Sequence, residues 1–206
     1  MQATLIKGGV TTPAGFVAAG VYCGIKKPTH AHPLDLCLIA STSGPVPAAA
    51  VFTTNLAVAA PVVVSREHLT RARGLCAGAV VNSGCANAVT GEAGMAVAKD
   101  MAGAAAAALG VSDEFIFVSS TGVIGVPLSL AKVRTGITAA KAALSVDGND
   151  NATTAIMTTD PFPKSCAAVI DTPRGRVTVG GITKGSGMIE PRMATMLGFL
   201  TTDAKV

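Results

Sequence analysis

Gly180-Gly181-Ile182-Thr183-Lys184-Gly185-Ser186-Gly187-Met188-Ile189-Glu190-Pro191-Arg192-Met193-Ala194-Thr195-Met196-Leu197 is the stretch on which the reading of this chain turns. Four glycines fall within its first eight residues. Glycine lets a backbone adopt positive φ and approach other groups closely, where a Cβ would collide. Lys184 stands among these glycines, and Thr195 lies beyond Pro191 between apolar neighbours. A phosphate-binding loop would place its lysine after the glycines, directly before Ser or Thr and a helix. Here Lys184 precedes Gly185-Ser186-Gly187, so the order argues against a nucleotide site.

Immediately upstream, the apolar runs 167–171 and 176–180 flank Thr172-Pro173-Arg174-Gly175, a hairpin signal. Working back along the chain, residues 91–109 are rich in alanine and end at Gly110, the clearest helix. Pro127 and Ser129 start a second helix that reaches about Leu144, and a short helical turn ends near Met157. Residues 34–40, 48–53, 58–64, 77–82 and 115–120 read as buried strands. Ser65 reads as the N-cap of a short helix ending at Gly74, with His68 at the third helical position. Residues 4–25 mix short apolar runs with Gly and Pro, as strands and turns do. Strands and helices interleave without an internal repeat, which predicts an α/β or α+β layered sandwich.

Bulk composition narrows the classes. The chain has 206 residues, enough for a sizeable core, with 50% hydrophobic and only 14% charged side chains, so an ordered domain is expected. The net charge of +4 is scattered, Trp is absent and there is one Tyr. A nucleic-acid binder would show a basic stripe with interleaved aromatics, so no nucleic-acid partner is expected. Residues 36–65 carry no charge, a length able to span a bilayer. Gly44, Pro45, Pro47, Pro61 and the polar Thr53-Thr54-Asn55 interrupt it, so no membrane partner is expected either. Met1-Gln2-Ala3-Thr4 leads straight to Lys7-Gly8-Gly9 with no long apolar stretch, so no signal peptide is expected. The five cysteines are odd in number and lack CxxC spacing, and read as reduced thiols. Cys85, in a Gly/Asn-rich loop, is the only cysteine placed to serve as a nucleophile, and packing is the better reading for it. His30 and His32 belong to a solvated loop, and no metal site is expected.

On their own the polar residues of interest allow two readings each. Thr195 is a buried helix start or a nucleophile. Threonine is a poor nucleophile unless a base stands beside it, and an N-terminal threonine carries that base as its own α-amine, with a pKa of about 7.7–8.0. Thr121-Gly122 is an ordinary strand-to-turn step or a donor pair for an oxyanion. Lys184 is a solvated loop lysine or a point charge for a carboxylate. Thr158 caps a turn at Thr158-Thr159-Asp160 or touches a ligand.

Several motifs in one order bear on that choice. They are Gly8-Gly9-Val10-Thr11 with Pro13-Ala14-Gly15-Phe16, Phe52-Thr53-Thr54-Asn55 with Ala59-Ala60-Pro61-Val62, and Asn82-Ser83-Gly84 with Ala86-Asn87-Ala88 and Thr90-Gly91. Ser120-Thr121-Gly122-Val123-Ile124-Gly125 and Ile156-Met157-Thr158-Thr159-Asp160 follow, then Lys184-Gly185-Ser186-Gly187-Met188-Ile189, Met193-Ala194-Thr195-Met196-Leu197 and Thr201-Thr202-Asp203-Ala204. Together they resemble the bifunctional ornithine acetyltransferase / N-acetylglutamate synthase family of arginine biosynthesis, over nearly the whole chain.

The resemblance implies a self-cleaving fold with an N-terminal threonine nucleophile. Cleavage at Ala194–Thr195 would make residues 1–194 the α chain and residues 195–206 the start of the β chain. Family members are about twice this length, so this chain is expected to be the N-terminal half, incomplete without the second. Thr195 would take acetyl from N2-acetylornithine and pass it to glutamate by double displacement. Thr121 and Gly122 match the oxyanion pair, and Thr158 and Lys184, with Thr195, match substrate-binding positions. No cofactor is implied, although acetyl-CoA is a possible donor in the synthase reaction. The implied partners are amino-acid substrates and the β chain of the same precursor, as a heterodimer and from it a heterotetramer. The implied compartment is the cytoplasm, or a chloroplast or mitochondrial matrix if a transit peptide was trimmed. The rival readings are an amidase or aminopeptidase sharing the self-cleaving fold, and an inactive half acting only as a folding or binding partner.

Overall fold

The structure, a computed structural model, describes residues 2–188, 193 and 195–205. Two four-stranded sheets form its frame. One is mixed, with β2 (Phe16–Val21), β3 (Leu36–Ser41), β6 (Gly78–Cys85) and β7 (Ile116–Val123) in the order β2-β3-β6-β7. Its β6/β7 pair is parallel. A parallel pair needs a long crossover, and the alanine-rich helix α2 (Gly91–Leu109) lies between these two strands in the chain. The other sheet is antiparallel, with β1 (Gln2–Ile6), β8 (Lys164–Thr172), β9 (Gly175–Lys184) and β10 (Leu197–Thr202) side by side. A short ladder of β4 (Val46–Pro47) with β5 (Leu75–Cys76) stands apart.

Strand alternation explains why the mixed sheet sits in the middle. Successive residues of a strand face opposite sides. In β3, Leu36 and Leu38 join a core with Val64, Met101, Val133 and Ile137. Those partners come from helices α1 (Ala60–Arg71), α2 and α3 (Leu130–Ala142). Cys37 and Ile39 face the other way, into a core with Val10, Ile156 and Ile182. The layers are therefore helices, mixed sheet, antiparallel sheet. In α2, Ala98, Met101, Ala102 and Ala105 recur at helical spacing and are fully buried. Gly110 ends that helix at φ 73, the left-handed stop glycine provides. The short α4 (Asn149–Ala155) packs on β2 and β3 and touches β8 and β9, bridging the sheets. Away from α4 the sheets part around a cavity of about 1670 Å³, lined by Phe16, Ile39 and Phe117 on one side and Val179, Ile182 and Phe199 on the other.

Two expected strands are not strands. Residues 58–64 instead lead into and open α1, with a proline at the start of the helix. Proline is at home there because the first helical N–H groups have no partner anyway. Ser65 is thus interior to α1 rather than its cap. Its hydroxyl donates to Val118 O and accepts from Val118 N, both at 2.8 Å. His68 Nδ1 lies 2.9 Å from Ile116 O. Ser65 and His68 of α1 therefore meet backbone groups on the outer edge of β7, which pairs with no further strand among the described residues. Residues 48–55 form no strand, and part of that segment lines the cavity. Among the described residues, no helix is long and apolar enough to cross a membrane.

Candidate active site

The site forms where a strand end of each sheet meets the other. At the end of β7, the parallel pairing with β6 breaks register at Gly84 and Cys85. Gly122 stands opposite Gly84 with φ +132, and a Cβ there would lie 2.4 Å from Gly84 C and 2.6 Å from Cys85 N. Only glycine fits that turn. Buried Asn82 braces it, donating from Nδ2 to Cys85 O at 2.8 Å and accepting from Ser120 Oγ at 2.6 Å. Asn87 ties the following loop to α2, donating to Gly94 O at 2.9 Å and accepting from Thr90 Oγ1 at 2.8 Å. Asn55 accepts from Ala57 N within its own turn. Sequence reasoning found these asparagines without roles, and their work is to hold loops.

From the antiparallel sheet comes Lys184, the last residue of β9 and only 4% exposed. Its Nζ donates to Thr121 Oγ1 at 2.9 Å and to Thr195 O at 2.8 Å. Because the Thr121 oxygen accepts from the ammonium, the Thr121 hydroxyl proton is left to donate elsewhere. Thr195 is half-buried just before β10, and its hydroxyl donates to Met188 O. Thr121, Lys184 and Thr195 are thus brought together from positions far apart in the chain, with Gly122 adjoining Thr121. Ala194, the other side of the expected cleavage bond, lies outside the described residues, as do Glu190 and Arg192.

Thr158 joins this group indirectly, through Asp160. The Asp160 carboxylate is buried and accepts from Thr158 N at 3.3 Å, Gly185 N at 2.8 Å and Lys164 Nζ at 2.5 Å. Burial works against its ionisation, but the hydrogen bonds from Lys164, Gly185 and Thr158 prevail and hold the carboxyl below its ordinary value. Burial pushes the Lys184 ammonium below the usual lysine range, against the pull of Asp160 and with the repulsion of Lys164. Asp160 escaped sequence reasoning as a site residue because its donors come from three segments. Its place within Thr158-Thr159-Asp160 was the only signal.

A second buried lysine backs the Gly84 turn. Lys26 donates from Nζ to Leu34 O at 2.7 Å and His32 O at 3.0 Å. Burial lowers its pKa to about 8, with Asp35 and Asp160 opposing. Asp35 accepts three backbone N–H groups, from Cys23, Ile25 and Lys26, at 2.7, 2.6 and 2.9 Å. A Cβ on Gly84 would lie 2.9 Å from Lys26 Cγ, so the lysine stem is in the packing behind the turn. Among the described residues, no group of three His, Cys, Asp or Glu is placed to hold a metal. The arrangement offers a hydroxyl, a second hydroxyl with a free proton, turn N–H groups and a buried cation, the parts that acyl-transfer chemistry uses.

Known proteins agree with this architecture. A family model described as the ArgJ family matches residues 17–206. The arginine biosynthesis bifunctional protein ArgJ of Symbiobacterium thermophilum is 54% identical over 201 residues, covering 98% of this chain and 49% of the relative. The protein of the same name from Gloeobacter violaceus is 49% identical over 201 residues, covering 98% and 48%. The chain therefore spans about half the length of the curated relatives it matches. Among solved structures, the arginine biosynthesis bifunctional protein of Bacillus halodurans superposes with a TM-score of 0.83 at 34% identity, covering 96% of this chain and 100% of that one. Ornithine acetyltransferase complexed with ornithine, from Mycobacterium tuberculosis, superposes at 0.82 with 41% identity, covering 92% and 98%. With the match running through both sheets and the Thr121–Lys184–Thr195 junction, this chain belongs to the ArgJ family.

Proposed function

We propose that this chain is the N-terminal half of an acetyltransferase of arginine biosynthesis, moving acetyl from N2-acetylornithine to glutamate through an acetyl-Thr195 ester. One observation carries the reading: Lys184 Nζ reaches Thr121 Oγ1 at 2.9 Å and Thr195 O at 2.8 Å. That contact joins a candidate oxyanion donor to a candidate nucleophile through one buried cation.

The first step is self-cleavage. Thr195 Oγ attacks the Ala194 carbonyl carbon, the peptide C–N bond breaks, and the α-amine of Thr195 is freed as an ester forms. Water hydrolyses the ester, leaving a carboxylate on Ala194 and a free Thr195 hydroxyl. The new α-amine, with a pKa of about 7.7–8.0, then serves as the base for its own hydroxyl. Thr195 Oγ adds to the acetyl carbonyl of N2-acetylornithine, and its proton passes to the α-amine. The tetrahedral oxyanion is met by the Thr121 hydroxyl and the Gly122 N–H. Collapse releases ornithine, which carries the proton away on its amine. Glutamate's amine attacks the acetyl ester, and N-acetylglutamate leaves as Thr195 recovers its proton.

Both substrates bear a carboxylate, for which Lys184 is a buried counter-charge, with Thr158 at the neighbouring turn. Acetyl-CoA serves as a donor for the same ester in the synthase reaction. We assign the cavity between the sheets to the half that the relatives carry beyond this length, the β chain of the precursor. After cleavage, segment 195–206 stays attached by the pairing of β10 with β9, which runs from Leu197 opposite Lys184 to Thr202 opposite Val179.

Intact mass and N-terminal sequencing of the full-length protein test this reading, against Thr195→Ala. Two chains in the parent, one beginning at Thr195, and a single chain in the variant are expected. Acetyl transfer from N2-acetylornithine to glutamate should accompany cleavage. An uncut parent without transfer would leave Thr195 without a base and sink the proposal.

A further inference from the structure

We infer that Asp160 is a positioning residue, which locks the Thr158 turn and the Lys184-Gly185 strand end together so that Lys184 reaches Thr121 and Thr195. The inference deepens the proposed acyl-transfer reading and rests on it for the meaning of that reach.

Geometry singles out this carboxylate. Asp160 is 3% exposed, and a buried carboxylate is costly unless its lone pairs are used. Asp160 uses them on three different segments: its own turn through Thr158 N, the end of β9 through Gly185 N, and the start of β8 through Lys164 Nζ. Lys164 completes the frame by donating to Gly185 O at 3.2 Å. Both backbone polar groups of Gly185 are thus held by one ion pair, one residue from Lys184. A buried ion pair serving stability alone is replaceable by apolar residues of similar size. Here the donors converge beside the cation that joins the two sheets.

The charge matters as well as the shape. The groups acting on Lys184 are Asp160 from the turn after α4, Lys164 from β8 and, after cleavage, the α-amine of Thr195; Asp160 also acts on Lys26. Asp160 favours the protonated form of Lys184, and Lys164 opposes it. Protonated Lys184 has three donors, two of which already meet Thr121 and Thr195. The third meets no partner among the described residues and is open to a substrate carboxylate.

Two variants of the full-length protein test the inference by opposite effects. Asp160→Asn keeps shape and an acceptor but removes the charge. Lys164→Met removes the cation at the rim and leaves Asp160 charged. Asp160→Asn should lower kcat about 100-fold, the cost of misplacing a reacting group by about an ångström. It should move the alkaline limb of kcat/KM to lower pH, because Asp160 favours the protonated form of Lys184. Lys164→Met should move the same limb to higher pH. The Lys184 13Cε resonance, assigned with Lys184→Arg, should titrate in the same two directions whether or not the assay is running.

Profiles and titrations that superimpose on the parent's, or that shift in one common direction, overturn the inference. A parent with no transfer activity overturns the functional reading instead, and the Lys184 titration still decides the role of Asp160. If Asp160→Asn does not fold, the direction of the Lys164→Met shift decides alone.

Discussion

Lys184 Nζ donates to Thr121 Oγ1 at 2.9 Å, and the two residues close the gap between sheets that are otherwise joined by α4 and core packing. The same nitrogen bonds Thr195 O. Removing it should therefore act at both partners. Lys184→Met fills the buried stem but leaves both oxygens without a donor. Self-cleavage and acetyl transfer should both fall by at least about 100-fold. Lys184→Arg should not rescue, because a planar fork cannot replace one point donor between two oxygens. Time-resolved intact mass and a transfer assay check this. Normal cleavage in Lys184→Met would separate Lys184 from the nucleophile.

Thr121 should show its hydroxyl in the rate. Thr121→Val conserves shape and deletes both the acceptor for Lys184 and the proton offered to an oxyanion. A single oxyanion donor is worth roughly 10²–10³ in rate, and kcat should fall by that factor with KM nearly unchanged. Thr121→Ser should restore most of it. Equal kcat for Val and Ser would remove Thr121 from the chemistry.

Gly122 allows no side chain. The added carbon of Gly122→Ala would fall 2.4 Å from the Gly84 backbone at a φ of +132. Because backbone on both strands must move, the β6/β7 pairing should open locally. Hydrogen exchange at Cys85 and Val123 should quicken and transfer should vanish. Unchanged exchange would mean that the turn relaxes without cost.

Ser65 predicts a stability effect far from the chemistry. Ser65→Ala leaves the N–H and C=O of Val118 unpaired at the edge of β7. An unsatisfied buried polar group costs about 1–3 kcal/mol. Denaturant unfolding should show a loss in that range with an unchanged slope. A loss well below it would mean that water replaces the hydroxyl.

These residues also mark what the sequence made legible. α2 was plain because alanine spacing and Gly110 agree with each other. The β8–β9 hairpin was plain because its turn chemistry sits between apolar runs. α1 was misread because Val62-Val63-Val64 has strand propensity, and tertiary packing beneath β7 overrides it. Ser65 looked like a cap because its true partner, Val118, is distant in sequence. The site was legible only in part. Thr195, Lys184, Thr121 and Gly122 were connected by resemblance, since no local pattern links strand ends in different sheets. Asp160 and Lys26 act through backbone amides and carbonyls that a sequence does not display.

Lys26 gives the last prediction, on how stability varies with pH. Folding lowers its pKa from 10.5 to about 8, because burial disfavours the ammonium more than Asp35 and Asp160 favour it. Between those values the unfolded chain holds a proton that the folded chain has released. Stability rises with pH wherever the unfolded state binds more protons. Lys26 therefore destabilises most below pH 8, and this burden fades as pH rises to 10.5. Lys184 adds a contribution of the same sign. The cysteines Cys23, Cys37 and Cys76 oppose it, since burial keeps their thiols protonated in the folded chain. The difference between parent and Lys26→Met isolates the one group. Unfolding free energies across that window should converge on a smaller rise, or a steeper fall, in the variant than in the parent. The absolute stability of Lys26→Met at neutral pH combines relief of a buried charge with the loss of donors to His32 O and Leu34 O, so the slope is the informative quantity. Parallel curves would mean that Lys26 reaches water and keeps its ordinary affinity for the proton.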